Sequence, residues 1–408
     1  MTKRPSVIDT EVVIVGGGLV GGTLACLLAG VGVPSVLVDR APVEAGLDPA
    51  FDGRASSIAV SSHRALRSAG LWPALEAVVN PIEDIRVSDG ASPLFLHYDH
   101  RDVGDEPFGY MIENRHIRHA IAERFGGIAD LTVLAPVSIA SVERDQTGVA
   151  LTLADGRTVR ARLLVGADGR GSAIREGAGL RVTRWDYDQA GIVCSVRHEK
   201  PHSNIAHERF LPSGPFAILP LQNNRASIVW TEKKHLAPTI MALDDRDFAG
   251  ELRRRFGDFL GEVEPEPKRW SYPLSLQFAE RHTDRRLALA GDAAHAMHPI
   301  AGQGLNMGLR DAAALAEAVI DARRLGLDIG GGTVLDRYAR WRGFDNTLML
   351  GMTDMLNRLF SNDIGPVRAA RDIGLAMVNR AGPLKKVFMR HAMGLVGELP
   401  RVLRGEPL

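Results

Sequence analysis

Short, wholly apolar runs alternate with helical periodicity at the start of the chain. Val12-Val13-Ile14-Val15 reads as a buried strand, glycines follow, and Leu19, Leu24, Leu27 and Leu28 then recur along one helix. Pro34 to Asp39 supplies a second strand, so this opening predicts a β-α-β unit with parallel strands. The polar stretch Ala41 to Gly53, with Pro and Gly, predicts a loop placed to lie over a ligand. Ser61 to Leu71 and Arg115 to Phe125 predict helices; Leu131 to Arg144, Val149 to Leu153 and Thr158 to Val165 predict strands, with a hairpin turn at Asp155-Gly156. From Leu180 to Leu276 the pattern turns strand-rich, as at Ile192 to Val196 and Ala226 to Thr231. Arg286 to Ala290 reads as one more short strand, Gly304 to Arg324 as a strong helix, and Val334 to Leu408 as mainly helical, with apolar faces built from Leu348, Met349, Met352, Met355, Leu356 and Leu359.

Composition narrows the class. A chain of 408 residues can bury a large core and divide into two or three domains. Its 49 basic and 49 acidic side chains cancel, which leaves no electrostatic reason to expect nucleic acid as a partner. Cys26 and Cys194 stand far apart without metal-ligand or redox spacing and read as reduced, buried thiols. No apolar stretch is long enough to span a bilayer, and Met1 to Thr10 lacks a secretory pattern. The expectation is a cytoplasmic protein, free to lie peripherally on the inner face of a membrane.

Three motifs carry chemistry. The first, Gly16-Gly17-Gly18-Leu19-Val20-Gly21, follows a strand and opens a helix. Gly16 serves the tight turn, Gly18 lets a diphosphate approach the backbone, and Gly21 lets helix pack on strand. The diphosphate then rests on free N–H groups at the positive helix end. Asp39 ends the second strand, where a carboxylate can accept hydrogen bonds from ribose hydroxyls. The second motif is Gly166-Ala167-Asp168-Gly169, and the third runs from Gly291-Asp292 through His295 and His298-Pro299 to Gly302-Gln303-Gly304-Leu305-Asn306. Both place an aspartate after a strand, where open α/β sheets bind ligands, although either aspartate taken alone could equally cap a helix. His295 and His298 do not form a metal site, because no carboxylate or cysteine at ligand spacing completes one.

In this order and spacing the three motifs resemble the group A FAD-dependent aromatic hydroxylases, the fold of p-hydroxybenzoate hydroxylase. The stretch from Gly291 to Glu317, with Asp52-Gly53-Arg54, Ser61 and Glu113-Asn114-Arg115, is similar to the ubiquinone-biosynthesis hydroxylases. The resemblance implies an α/β protein, α+β overall: a Rossmann-like FAD-binding domain from residues 1–75, 100–180 and 280–330, an inserted mixed β-sheet substrate domain from 76–99 and 181–279, and a helical C-terminal region, 331–408. It implies FAD contacts at Gly16, Gly18, Gly21, Asp39, Arg40, Arg54, Arg115, Asp168, Gly291, Asp292, Pro299, Gly302, Gly304, Leu305 and Asn306. Arg54 is expected near the isoalloxazine edge, and the helix starting near Gly302 is expected to aim its positive end at the flavin.

The implied activity is hydroxylation of the ring of a polyprenylated phenol or quinol precursor of ubiquinone by a flavin C4a-hydroperoxide, chemistry that belongs to the cofactor. O₂ and NAD(P)H, or another electron donor, are the implied co-substrates. No side chain is singled out as catalytic. Two other readings stay open: a flavin hydroxylase of a soluble aromatic compound, and a non-catalytic FAD-binding subunit of a biosynthetic complex. Lys385, Lys386 and Arg390 among Leu384, Val387, Phe388, Met389, Met393 and Leu395 suit a membrane-surface helix, and suit equally a helix packed on its own domain.

Overall fold

The computed structural model describes residues 6–48, 52–90, 95–297, 302–343, 378 and 381–408. Its centre is a six-stranded sheet in the order Thr283–Asp284, Leu287–Leu289, Leu163–Gly166, Val12–Val15, Ser35–Val38, Leu131–Leu134. All neighbours are parallel except the first pair. Side chains alternate across it. Val12, Ile14 and Leu37 face the helices Leu19–Ala29 and Gln303–Arg324 in one core, while Val13, Val15, Val36 and Val38 face a four-stranded sheet in a second. Burial on both sides explains why these strands are apolar at every position.

Two stretches expected as single strands divide between sheets. Leu131–Leu134 joins the central sheet and Ile139–Arg144 the four-stranded one, with Pro136, which has no N–H to offer a ladder, between them. Thr158–Ala161 and Leu163–Gly166 part in the same way at exposed Arg162. An unbroken β pattern does not reveal where a strand changes partners.

The largest sheet has eight strands, in the order His295–Ala296, Val263–Ala279, Val182–His198, Arg225–Lys233, Gly214–Leu221, Ile205–Leu211, Asp84–Asp89, Phe95–Asp99. Asp84–Asp89 runs parallel to Ile205–Leu211, and the other pairs are antiparallel, so the sheet is mixed. One face is covered by the helices Ala237–Met241 and Asp245–Phe256, which seat Phe248, Leu252 and Phe256 against Ile192, Ile218, Ile228 and Trp230. These two helices lie within the stretch read as strand-rich, where no helix was expected. Asp244 caps the second by accepting from the Asp247 N–H at 2.8 Å. The other face of the sheet looks toward the half built on the six-stranded sheet, with Trp270 against Gly53.

Residues 332–343 are helical, as is Gly382–Ala392; Leu348, Met349, Met352, Met355, Leu356 and Leu359 lie outside the described residues. Cys26 and Cys194 are buried free thiols, and burial pushes both up to about 12.

Candidate cofactor and substrate site

The three motifs meet at the ends of adjacent parallel strands. Gly16 has φ +106°, and a Cβ there would lie 2.3 Å from the Ala167 carbonyl oxygen and 2.8 Å from the Asp168 nitrogen. The first and second motifs therefore touch backbone to backbone. A Cβ on Gly21 would meet the Gly16 carbonyl oxygen at 2.0 Å, the close helix-on-turn packing that glycine permits. Val20 fills the space beside Gly291 and Gly308, whose Cβ positions lie 3.1 and 2.5 Å from it, so the third motif closes on the first. Gly18, at the helix start, has nothing within 4 Å of its Cβ position: here the backbone faces open space.

Acids and arginines surround this junction. Asp39 accepts from Gly17 N–H at 2.6 Å and Ala41 N–H at 2.8 Å, which fixes its carboxylate beside the glycine turn, with exposed Arg40 following it. Asp168 accepts from Ile174 N–H at 3.2 Å and from the Ser172 hydroxyl; it helps to start the short helix Ala173–Gly177 while its backbone lines Gly16. Asp52, buried, accepts from the Arg54 N–H at 2.9 Å and from the Arg54 Nε at 2.8 Å, and it also pairs with Arg118. Burial works against its charge, but the Arg54 and Arg118 hydrogen bonds outweigh burial and hold the carboxyl well below the usual carboxylate range. Arg54 also lies over the Tyr272 ring at 5.1 Å, reaching from the cofactor half to the large sheet.

Between the two halves opens a cleft of about 670 Å³. Arg54 and Arg115 line it from one side, Arg197, Arg225 and Lys268 from the other. Arg225 pairs with Glu266 at 2.7 Å and reaches Glu113 at 3.5 Å, tying the sheet to the cofactor half. Arg115 binds Glu113 at 2.9 Å, and its Nε is buried with no partner among the described residues.

The third motif is held from behind. Asp292 is exposed while Gly291 is buried, and the Gly291 N–H donates to Asp311 at 2.9 Å. Asp311 also takes His295 Nε2 at 2.6 Å and Arg342 Nε at 2.7 Å, all three side chains being buried. Burial alone would raise its pKa; His295 and Arg342 overcome that and keep it ionised. His295 is thus committed to this cluster and sits away from the cleft. Gly302, with φ +63°, starts the long helix, and its Cβ position lies 3.0 Å from Ser57. Asn306 donates to the Ser57 and Gly302 carbonyls at 2.8 and 3.1 Å and accepts from Ala59 N–H at 2.9 Å, stitching the helix start to the strand Ala55–Ala59. Gly304 has open space at its Cβ position, and Leu305 packs on the helical core. His298 and Pro299 lie outside the described residues.

A family model for the FAD binding domain matches residues 9–342. Ubiquinone hydroxylase UbiL of Rhodospirillum rubrum is 55% identical over 98% of this chain and 93% of its own. The 3-demethoxyubiquinol 3-hydroxylase of Escherichia coli is 34% identical over 97% of this chain and 100% of its own. The chain belongs to the FAD-dependent ubiquinone hydroxylase family. The fold is shared more widely: p-nitrophenol 4-monooxygenase PnpA from Pseudomonas putida superposes with a TM-score of 0.79 at 22% identity, covering 97% of this chain and all of that one.

In this hydroxylase FAD is the cofactor, and the residues fit it. The cradle at Gly16 and Gly18 cannot admit side chains without filling either the turn or the open space before the helix, and Arg115 keeps a buried donor for an anion. Sequence reasoning missed Val20, Gly308 and Arg342. The glycine in Asn306-Met307-Gly308 was a usable signal for tight packing; nothing near Arg342 marks it as the partner of Asp311.

Proposed function

We propose that this monooxygenase adds one oxygen to the aromatic ring of a polyprenylated phenol or quinol precursor of ubiquinone. The reading is carried by the junction of three distant motifs at one cofactor cradle that opens onto the large sheet, and the ubiquinone hydroxylases among its relatives support it. Bound FAD supplies the activation of O₂, with electrons from NAD(P)H or another donor. The chain supplies the rest. Gly16, Gly18 and Gly21 would hold the diphosphate, Asp39 the ribose, and Arg54, Arg115 and Asp292 the flavin end, with Asp168, Gly291, Gly302, Gly304, Leu305 and Asn306 shaping the walls. The large sheet orients the ring and excludes water.

FAD-loaded protein, given NADH or NADPH and O₂, is expected to convert a prenylated phenol to a product heavier by one oxygen, read by mass spectrometry, and to leave small aromatic acids unhydroxylated. Tight coupling of nicotinamide oxidation to a small acid, with none to the prenylated phenol, would overturn the reading.

We also place the protein at an anionic membrane surface, where such a substrate resides. Among the described residues no helix is long and apolar enough to cross a membrane. Met389 on the helix Gly382–Ala392 and Met393 just past its end pack into the domain beside Val60, Phe108 and Met111, while Lys386, Val387, Phe388 and Arg390 are exposed.

A further inference from the structure

On the side of the eight-stranded sheet that faces the cofactor half, one row of cross-strand neighbours is apolar but for a single ionisable side chain. Residues paired across strands share a face, and a single row runs Leu96, Val87, Glu208, Ala217, Val229, Val193, Trp270. Trp270 at one end presses on Gly53, where a Cβ would lie 1.9 Å from its ring, so this row faces the cofactor half. Toward the other end Ala206, Leu219 and Tyr98 pack with Met111. Met111 pairs with Ser57, which touches Gly302 at the start of the long helix. Glu208 therefore stands on the wall opposite the flavin end of the cradle.

Among the described residues the Glu208 side chain has no hydrogen bond or ion pair, and the residue is partly buried. The charges beside it in sequence point away: Arg209 donates to the Arg255 carbonyl at 2.7 Å on the helix-covered face, and His207 packs on Phe259 there. Arg86 lies over Phe95, and His97 pairs with Asp84, both off this face. Sharing the face with Glu208 are the Tyr98 phenol, Asp89 beside Phe210, and, farther off, Lys233 and the neighbours Arg197 and Arg225, of which Arg225 is paired with Glu266 and Glu113 and Arg197 with Glu266. From the helix Gly382–Ala392, which packs on this end of the sheet, Lys385 is tied to Asp102, Lys386 and Arg390 are exposed, and His391 is partly buried. Burial alone pushes the Glu208 carboxyl up to about 7. The Ser227 hydroxyl, two rungs along the same face, is also buried without a partner among the described residues.

We propose that Glu208 receives the hydrogen of the substrate's ring hydroxyl. The inference rests on the phenol reading above. The phenol O–H bond breaks, its proton passes to a Glu208 carboxylate oxygen, and the electron pair stays on the phenolate, which makes the ring a better acceptor of oxygen; the proton returns to solvent as product leaves. An unpartnered carboxyl on an apolar wall is suited to this, because a neutral phenol can approach it without another charge competing.

Glu208→Gln keeps shape and removes the base; Glu208→Leu removes the acceptor as well. In the FAD-loaded wild type, kcat/KM for a phenol bearing one isoprene unit is expected to rise with pH through about 7, and Glu208→Gln to lose that limb with a fall of at least about ten-fold above it. By flavin fluorescence, wild type is expected to bind this phenol about ten-fold tighter than its methyl ether, and Glu208→Leu to bind both alike, with flavin content unchanged. An active wild type whose rate, pH profile and preference survive both substitutions overturns this inference alone. A wild type that neither binds nor hydroxylates the phenol overturns the substrate reading and this inference with it.

Discussion

A methyl group has no room at Gly16 and ample room at Gly18, two residues that one motif treats alike. At Gly16 it would meet the Ala167 carbonyl oxygen at 2.3 Å, and φ is +106°. Left-handed strain of this kind costs about 1–3 kcal/mol before the clash is counted. Gly16→Ala is therefore expected to lower the unfolding temperature and to purify almost free of FAD. Gly18→Ala is expected to unfold like wild type yet bind FAD at least about ten-fold more weakly, since its methyl enters only the space before the helix. Equal unfolding temperatures for the two variants, read by tryptophan fluorescence, would contradict this division of roles. Spacing alone made these glycines legible, because each need is local. The contact of Val20 with Gly291 and Gly308 was not legible, because it joins segments whose proximity only the finished sheet creates.

Among elements, the long helix Gln303–Arg324 does two tasks with one side chain at its middle. Asp311 holds the Gly291 turn through its N–H, and it neutralises Arg342, which is buried at 1% exposure. Removing one member of a buried charged set costs about 3–5 kcal/mol, since the remaining charge loses its partner. Asp311→Asn should lower thermal stability by that order, and it should also weaken FAD binding as the Gly291–Asp292 turn loosens; the double variant Asp311→Leu with Arg342→Met should recover much of the stability and little of the FAD affinity. Recovery of both together would show that the cluster only supports the core. The helix itself was plain in the sequence from its apolar spacing, as was the opening β-α-β unit. The helices Ala237–Met241 and Asp245–Phe256 were hidden among β-branched and aromatic runs, although Phe248, Leu252 and Phe256 recur at helical spacing. The divisions at Pro136 and Arg162 were hidden for a different reason: strand propensity is a property of the residue, whereas sheet membership depends on which neighbour offers its edge.

Over the whole molecule, 49 basic and 49 acidic side chains leave no net charge to draw the protein to an anionic surface, so attraction must come from a patch. The helix Gly382–Ala392 supplies one, with Val387 56% and Phe388 36% exposed beside exposed Lys386 and Arg390. Each basic group near an anionic leaflet contributes about 1 kcal/mol, and full burial of a side chain such as Phe or Val about 1.5–3 kcal/mol. Together these suffice for reversible attachment and fall far short of insertion. Removing the whole helix would be a poor test, because Met389 and Met393 belong to the packing around Met111 and the substrate-facing end of the sheet. Val387→Glu with Phe388→Glu alters only the outward side: flavin content and turnover of a short-chain phenol in solution should stay at wild-type values, while sedimentation with anionic vesicles should fall at least about ten-fold. The same variant should lose turnover of a long-chain substrate embedded in those vesicles. If vesicle binding persists, this helix is not the contact; if binding is lost but vesicle-borne substrate is still converted at the wild-type rate, the enzyme draws its substrate from elsewhere.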